Sequence, residues 1–171
     1  MRFRTILVAL VAAALAGWGV RAAAQSPAPS AADAVHKYVA GEDNNFADLQ
    51  GDPTGAQSDT FTYYQSSVQI PGASACVVYA VKKTGDRFGT CDFDAATEDD
   101  AKALFQTWLD NIKAAEPGWS VLQITNGQHL AQLLIEDPQK VHGIYLYAEK
   151  SDDGKSYRIT TTFGTIAAIE R

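Results

Sequence analysis

The chain has 171 residues, with 20 acidic side chains against 14 lysines and arginines and a formal charge of −6. Nearly half of the residues are apolar and only two are cysteines, so one domain with a real core is expected and a dense disulfide framework is excluded. No basic cluster stands out against the acidic balance, so neither nucleic acid nor an anionic lipid surface is expected as a partner.

Met1-Arg2-Phe3-Arg4 is a short basic start, residues 6–20 form an uncharged run rich in alanine, leucine and valine, and Ala22-Ala23-Ala24 precede Gln25. This is the pattern of a secretory signal peptide over residues 1–24, with cleavage after Ala24. The run is short for a membrane span and ends in small residues with no stop-transfer pattern, so no membrane insertion is expected after cleavage. Cleavage removes three arginines and no acid, which takes the formal charge from −6 to −9. The expected location is periplasmic or secreted. Residues 25–31 read as a disordered tail and residues 32–171 as a single α+β domain.

A first helix is predicted from about Ala32, with Ser30 and Asp33 as its cap. Val35, Tyr38, Val39, Phe46 and Leu49 fall near one face, and Gly41 weakens the middle. Gln50 to Gly55 reads as a loop. Three strands follow, over about 60–70, 76–81 and the return to Phe93. Pro71-Gly72 makes the first reversal, because proline presets one central φ and glycine accepts a positive value at the next. Lys83-Thr84-Gly85 suits the second, with glycine in the left-handed position. In that register Cys76 and Cys91 fall within one residue of facing each other. Opposed strand residues have Cα atoms about 4.5 to 5.5 Å apart, within reach of a disulfide, and an exported chain meets an oxidising compartment. The bridge closes a loop of about 15 residues and is expected to contribute roughly 3 kcal/mol.

The clearest helix comes next. Thr97 caps it, Glu98, Asp99 and Asp100 favour its N-terminus, and Ala101, Leu104, Phe105, Trp108, Leu109 and Ile112 repeat on one broad face until Pro117-Gly118 stops it. Four more strands are predicted. The first two, about 119–125 and 129–136, join through Asn126-Gly127, and the last two, about 141–149 and 155–163, join through Ser151-Asp152-Asp153-Gly154. The expected fold is therefore α+β: a single antiparallel sheet of about seven strands in the order helix, three strands, helix, four strands, with both helices on one face.

Catalytic and metal patterns fail one by one. A hairpin turning at Asp137 to Lys140 sets His142 opposite Ile135 and about 20 Å from His129, too far for a shared ion. A calcium loop from Asp92 lacks its glycine at Thr97 and its acid at Ala96. There is no G-x-S-x-G elbow, and Gly51 to Gly55 lacks the lysine of a phosphate loop. No metal or cofactor is expected. A glycosidase-type carboxylate pair leaves no spacing signature, so a small cell-envelope hydrolase stays open as an alternative.

What remains is the sheet face that the helices leave open. Alternation puts aromatics there, either Tyr145 and Tyr147 or the opposite set, with Tyr157 and one of Tyr63 or Tyr64 as neighbours. Helix followed by meander, twice, is similar in layout to small secreted inhibitor and immunity proteins that bind partners on an open sheet. The expected function is an exported, noncatalytic binding module that holds a protein or peptide partner of the cell envelope on Tyr145, Tyr147, Tyr157 and Tyr63. A structural accessory domain of an envelope complex is the third reading.

Overall fold

The computed structural model describes residues 30–124, 129–152 and 154–169. The predicted signal peptide, residues 25–29 of the predicted tail and the Asn126-Gly127 turn lie outside the described residues.

The chain opens with α1, Ala31–Glu42, whose Ser30 and Asp33 form a reciprocal capping box. Asn45 and Phe46 then take left-handed φ values of 56° and 57°, and a 3-10 turn over Ala47–Leu49 reverses the chain so that Phe46 and Leu49 are buried. Four strands follow: β1 Gln50–Pro53, β2 Phe61–Ser66, β3 Ala75–Val81 and β4 Arg87–Ala95. Helix α2, Glu98–Ala115, carries the chain to a second set, β5 Ser120–Gln123, β6 Ala131–Glu136, β7 His142–Lys150 and β8 Tyr157–Thr165, and a short turn α3, Ile166–Ile169. No helix among the described residues is long and apolar enough to cross a membrane.

All eight strands form one antiparallel sheet in the order β1-β2-β3-β4-β8-β7-β6-β5. Two meanders thus meet through their last strands. The strand beyond the expected seven is β1, which pairs with β2 through a register shift between Gln50 and Pro53. Its residues, Gln-Gly-Asp-Pro, have no apolar alternation, and Pro53 is tolerated because this is the sheet's edge. The strand is defined by its backbone pairing with β2.

Other expectations meet the structure closely. Gly72, with φ of 86°, sits in a turn closed by Ala73 N–H to the Ile70 carbonyl at 3.0 Å. Cys76 stands directly opposite Cys91, with Cα atoms 4.1 Å apart, and the two form a disulfide. Thr97 caps α2 through the Asp100 N–H.

Both helices cover the same face. Ile144, Leu146 and Ala148 of β7, Ile159, Thr161 and Phe163 of β8, and Cys91 and Phe93 of β4 are buried beneath them. Tyr38 of α1 stacks on Phe163 at 4.6 Å between ring centroids. The close approach depends on Gly89, where a Cβ would come within 2.7 Å of the Tyr38 ring. The Tyr38 hydroxyl ends 2.6 Å from Ser66 Oγ and 2.9 Å from the Val68 carbonyl, and burial pushes its pKa up to about 12. Trp108 of α2 packs on Phe93 at 4.3 Å and is 3% exposed.

Trp108 therefore holds the second helix to the sheet. Truncation to alanine removes a buried aromatic at a cost of about 3 to 5 kcal/mol, a large share of the roughly 5 to 15 kcal/mol that stabilises a small domain. Trp108→Ala is expected to lower the calorimetric melting temperature by roughly 10 °C or more. A variant melting at the wild-type temperature would show that the ring is not part of the core.

Candidate functional site

The second face of the strands is the one that neither α1 nor α2 covers. Because Ile144, Leu146 and Ala148 turn to the helices, Tyr145, Tyr147 and Glu149 turn away from them. Carried across the ladder, the same alternation places Arg158, Thr160 and Thr162 of β8 on this face, then Thr90, Asp92 and Asp94 of β4, Val77 and Tyr79 of β3, and Tyr63 of β2.

Rings gather on either side of the centre. On one side Tyr145 and Tyr147 lie 5.4 Å apart, and the His129 imidazole sits 4.7 Å from Tyr147. On the other, Tyr79 stacks on Phe88 at 4.8 Å with planes 9° apart, Tyr63 meets Tyr79 at 5.0 Å, and Phe61 reaches both Tyr79 and Phe88 at 5.8 Å. Between the two groups runs a strip of short side chains. Thr90 and Thr162 place their hydroxyls 3.4 Å apart, and Thr160 donates to Asp92 Oδ1 at 2.7 Å. Thr160 is only 3% exposed and Thr90 only 9%, although no α1 or α2 side chain lies over them. The result is a trough with a threonine floor and aromatic flanks. Four adjacent strands, β7, β8, β4 and β3, span it, which makes it about 14 Å wide.

The flanking phenols feel the site's desolvation and charge. Burial, then the negative charge of Asp92, holds Tyr79 above the usual phenol range. Tyr147 is raised by burial and by Glu149 and Asp92, against an opposing contact with Thr160. Tyr145 is raised by burial and by its neighbour Tyr147.

Of the tyrosines singled out from the sequence, Tyr145 and Tyr147 stand together in the trough. Tyr63 shares their face but belongs to the ring group across β3. Tyr157 does not join them: it follows the alternation of Ile159 and Phe163, packs against the core on the helix side, and approaches Glu98 of α2. Cys76 and Cys91 lie on that helix side as well. Sequence reasoning passed over Tyr79, Phe88, Phe61 and the three threonines. The signal existed, since a cysteine bridge buried at position 76 forces residues 77 and 79 of the same strand to the opposite face.

A second group of polar residues lies at the C-terminal end of α1. The Glu42 side chain is fully buried, and its Oε2 is 2.7 Å from His142 Nδ1. Asp43 approaches the other ring nitrogen at 3.9 Å, and His36 pairs with Glu116 at 2.9 Å. His36, Asp43, Glu116 and His142, together with Trp119 and Asp137, border an open groove of about 430 Å³. The Asp137 carboxylate accepts N–H bonds from Gln139, Val141 and His142, which outweigh the effect of burial and hold it below the usual carboxylate range. This wrapped turn shifts the expected register: Ile135 faces Ile144, and His142 faces Thr165 of β8. His129 lies beyond the other end of β6, 3.4 Å from Glu149. Among the described residues, no group of three or more histidines, cysteines or acids is placed to hold a metal ion.

The chain matches no protein-family model, no curated protein and no solved structure.

Burial, then the charges of Asp137, Asp43 and Glu116, raises the Glu42 pKa from 4.5 to about 9, with the Gly164 N–H opposing. The folded chain thus keeps a proton at Glu42 that the unfolded chain releases. This stabilisation is complete below pH 4.5 and disappears as pH rises through about 9. Urea midpoints are expected to fall between about pH 5 and pH 8.5, and Glu42→Gln, which removes the titrating carboxyl at nearly the same size, is expected to flatten that decline. A Glu42→Gln profile as steep as the wild type's would place the linked proton elsewhere.

Proposed function

We propose that this chain is an exported, noncatalytic binding module that receives an extended segment of a protein or peptide partner in the trough on its open sheet face. The reading is carried by one observation: a strip of nearly buried threonines lies between two groups of aromatic rings on a face that no helix α1 or α2 side chain covers. Tyrosine rings with hydroxyl tips supply a large rigid contact area at low entropic cost, and a floor of short side chains lets a backbone come close. The width of about 14 Å suits one extended chain lying along the strands. The disulfide agrees with an oxidising compartment, as the predicted signal peptide requires.

Filling the trough tests this. Thr162 lies in the floor, and Thr162→Trp is expected to abolish partner recovery in affinity capture from envelope extract. Gln106→Trp, on the exposed side of α2, is expected to recover the partner as the wild type does. Melting curves confirm that both variants are folded. Undiminished recovery by folded Thr162→Trp would refute the trough as the binding surface.

A further inference from the structure

The two edges of the sheet are built differently. β1 carries Pro53, which has no N–H to offer, an acid at Asp52 and a register shift against β2, and each of these hinders a further strand from joining. β5 has none of them. It holds no proline and no charge, and its pairing with β6 runs without a shift from Ser120 opposite Glu136 to Gln123 opposite Leu133. All four of its residues are exposed, Val121 at 36% and Leu122 at 44%.

The direction of its free backbone groups follows from the ladder. The Ile124 N–H donates to the Gln132 carbonyl at 3.2 Å, and hydrogen-bonded pairs alternate along antiparallel strands, so Leu122 and Ser120 also turn their N–H and C=O toward β6. Val121 and Gln123 therefore turn theirs outward, where β5 is the last strand of the sheet among the described residues. Donors and acceptors at this spacing match an extended backbone running alongside. The strand itself can supply one. Set antiparallel to its own copy about a two-fold axis at Leu122, β5 brings Val121 opposite Gln123 of the copy, and Gln123 opposite Val121, so that every outward N–H and C=O of these residues finds a partner. Leu122 then meets its own copy on the open face, beside Leu134, and no two like charges stand opposed within the strand.

We propose that β5 is a homodimerisation edge, at which two copies of this chain join their sheets through antiparallel β5–β5 pairing centred on Leu122. Association stops at two copies, because pairing uses β5 on both and β1 does not accept a further strand. The two-fold axis stands perpendicular to the sheet, so both open faces lie on the same side of the dimer. A contact along four residues falls short of the roughly 1,200 Å² of a stable interface, which makes the dimer weak and reversible. The formal charge of −6 on each chain opposes it, and salt strengthens it by screening that repulsion.

Sedimentation velocity of the exported, disulfide-intact protein, from about 10 μM to about 1 mM, tests the proposal. A monomer is expected at the lowest concentration and a growing fraction of a discrete dimer at the highest, larger in high salt. Val121→Pro removes one outward N–H and leaves the bonds to β6 in place, and Leu122→Lys sets two like charges across the axis. Each is expected to raise the dimer dissociation constant by about tenfold or more, with melting curves to confirm folding. Asp52→Ala, on the opposite edge, is expected to change nothing. In the wild type, the Val121 and Gln123 amides are expected to gain protection from hydrogen exchange as concentration rises, a reading that stands even if a variant is poorly folded. A monomer throughout the range would overturn the proposal. So would a dimer that both folded variants form as the wild type does, an effect of Asp52→Ala, or growth into higher oligomers.

Discussion

The antiparallel pairing of β4 with β8 is the constraint on which everything else depends. Within each half, helix and meander are built from neighbours in sequence. Only this ladder, from Gly89 opposite Phe163 to Ala95 opposite Tyr157, turns two four-stranded meanders into one sheet. Closing it joins strands more than 60 residues apart, and the entropy of that closure must be offset by what the seam buries. The helices provide the burial. Tyr38 of α1 stacks on Phe163 of β8 while lying against Gly89 of β4, and α2 sets Trp108 on Phe93 of β4. Each helix therefore rests on the junction as well as on its own half.

The same seam supplies the floor of the trough. Phe93, Ile159 and Phe163 point from it into the core, and Thr90, Asp92, Thr160 and Thr162 point from it to the open side. Stability and proposed recognition are thus divided between the two faces of one pair of strands. The disulfide links the two. Cys76 opposite Cys91 on the helix side sets the register that places Tyr79 opposite Phe88 on the other, and a slip of one residue would exchange the faces of every side chain on β3. A covalent bond in the core in this way positions a ring pair at the edge of the trough.

How much of this could be read from the sequence follows from where the information lies. Helix α2, the Pro71-Gly72 turn and the cysteine pairing were legible because capping residues, turn chemistry and apolar spacing all act locally. Strand β1 was not, since Gln50 to Pro53 carry no side-chain pattern and owe their conformation to backbone pairing at an edge. Alternation placed Tyr145 and Tyr147 on a common face but left open which face it was. The same ambiguity grouped Tyr157 with them, until the pairing of Tyr147 with Thr160 put Tyr157 on the helix side. The contact of Glu42 with His142 spans 100 residues and leaves no trace in either local sequence.

Native-state amide hydrogen exchange resolved by residue tests the central role of the seam most directly. Amides of β4 and β8 are expected to exchange only through global unfolding, with protection equal to the unfolding free energy from denaturant titration, while the edge strands β1 and β5 exchange far sooner. The account would be contradicted if one helix-and-meander half lost protection as a unit while the other kept it, with the β4–β8 amides opening along with the weaker half. In that case the halves would be separate folding units that merely touch.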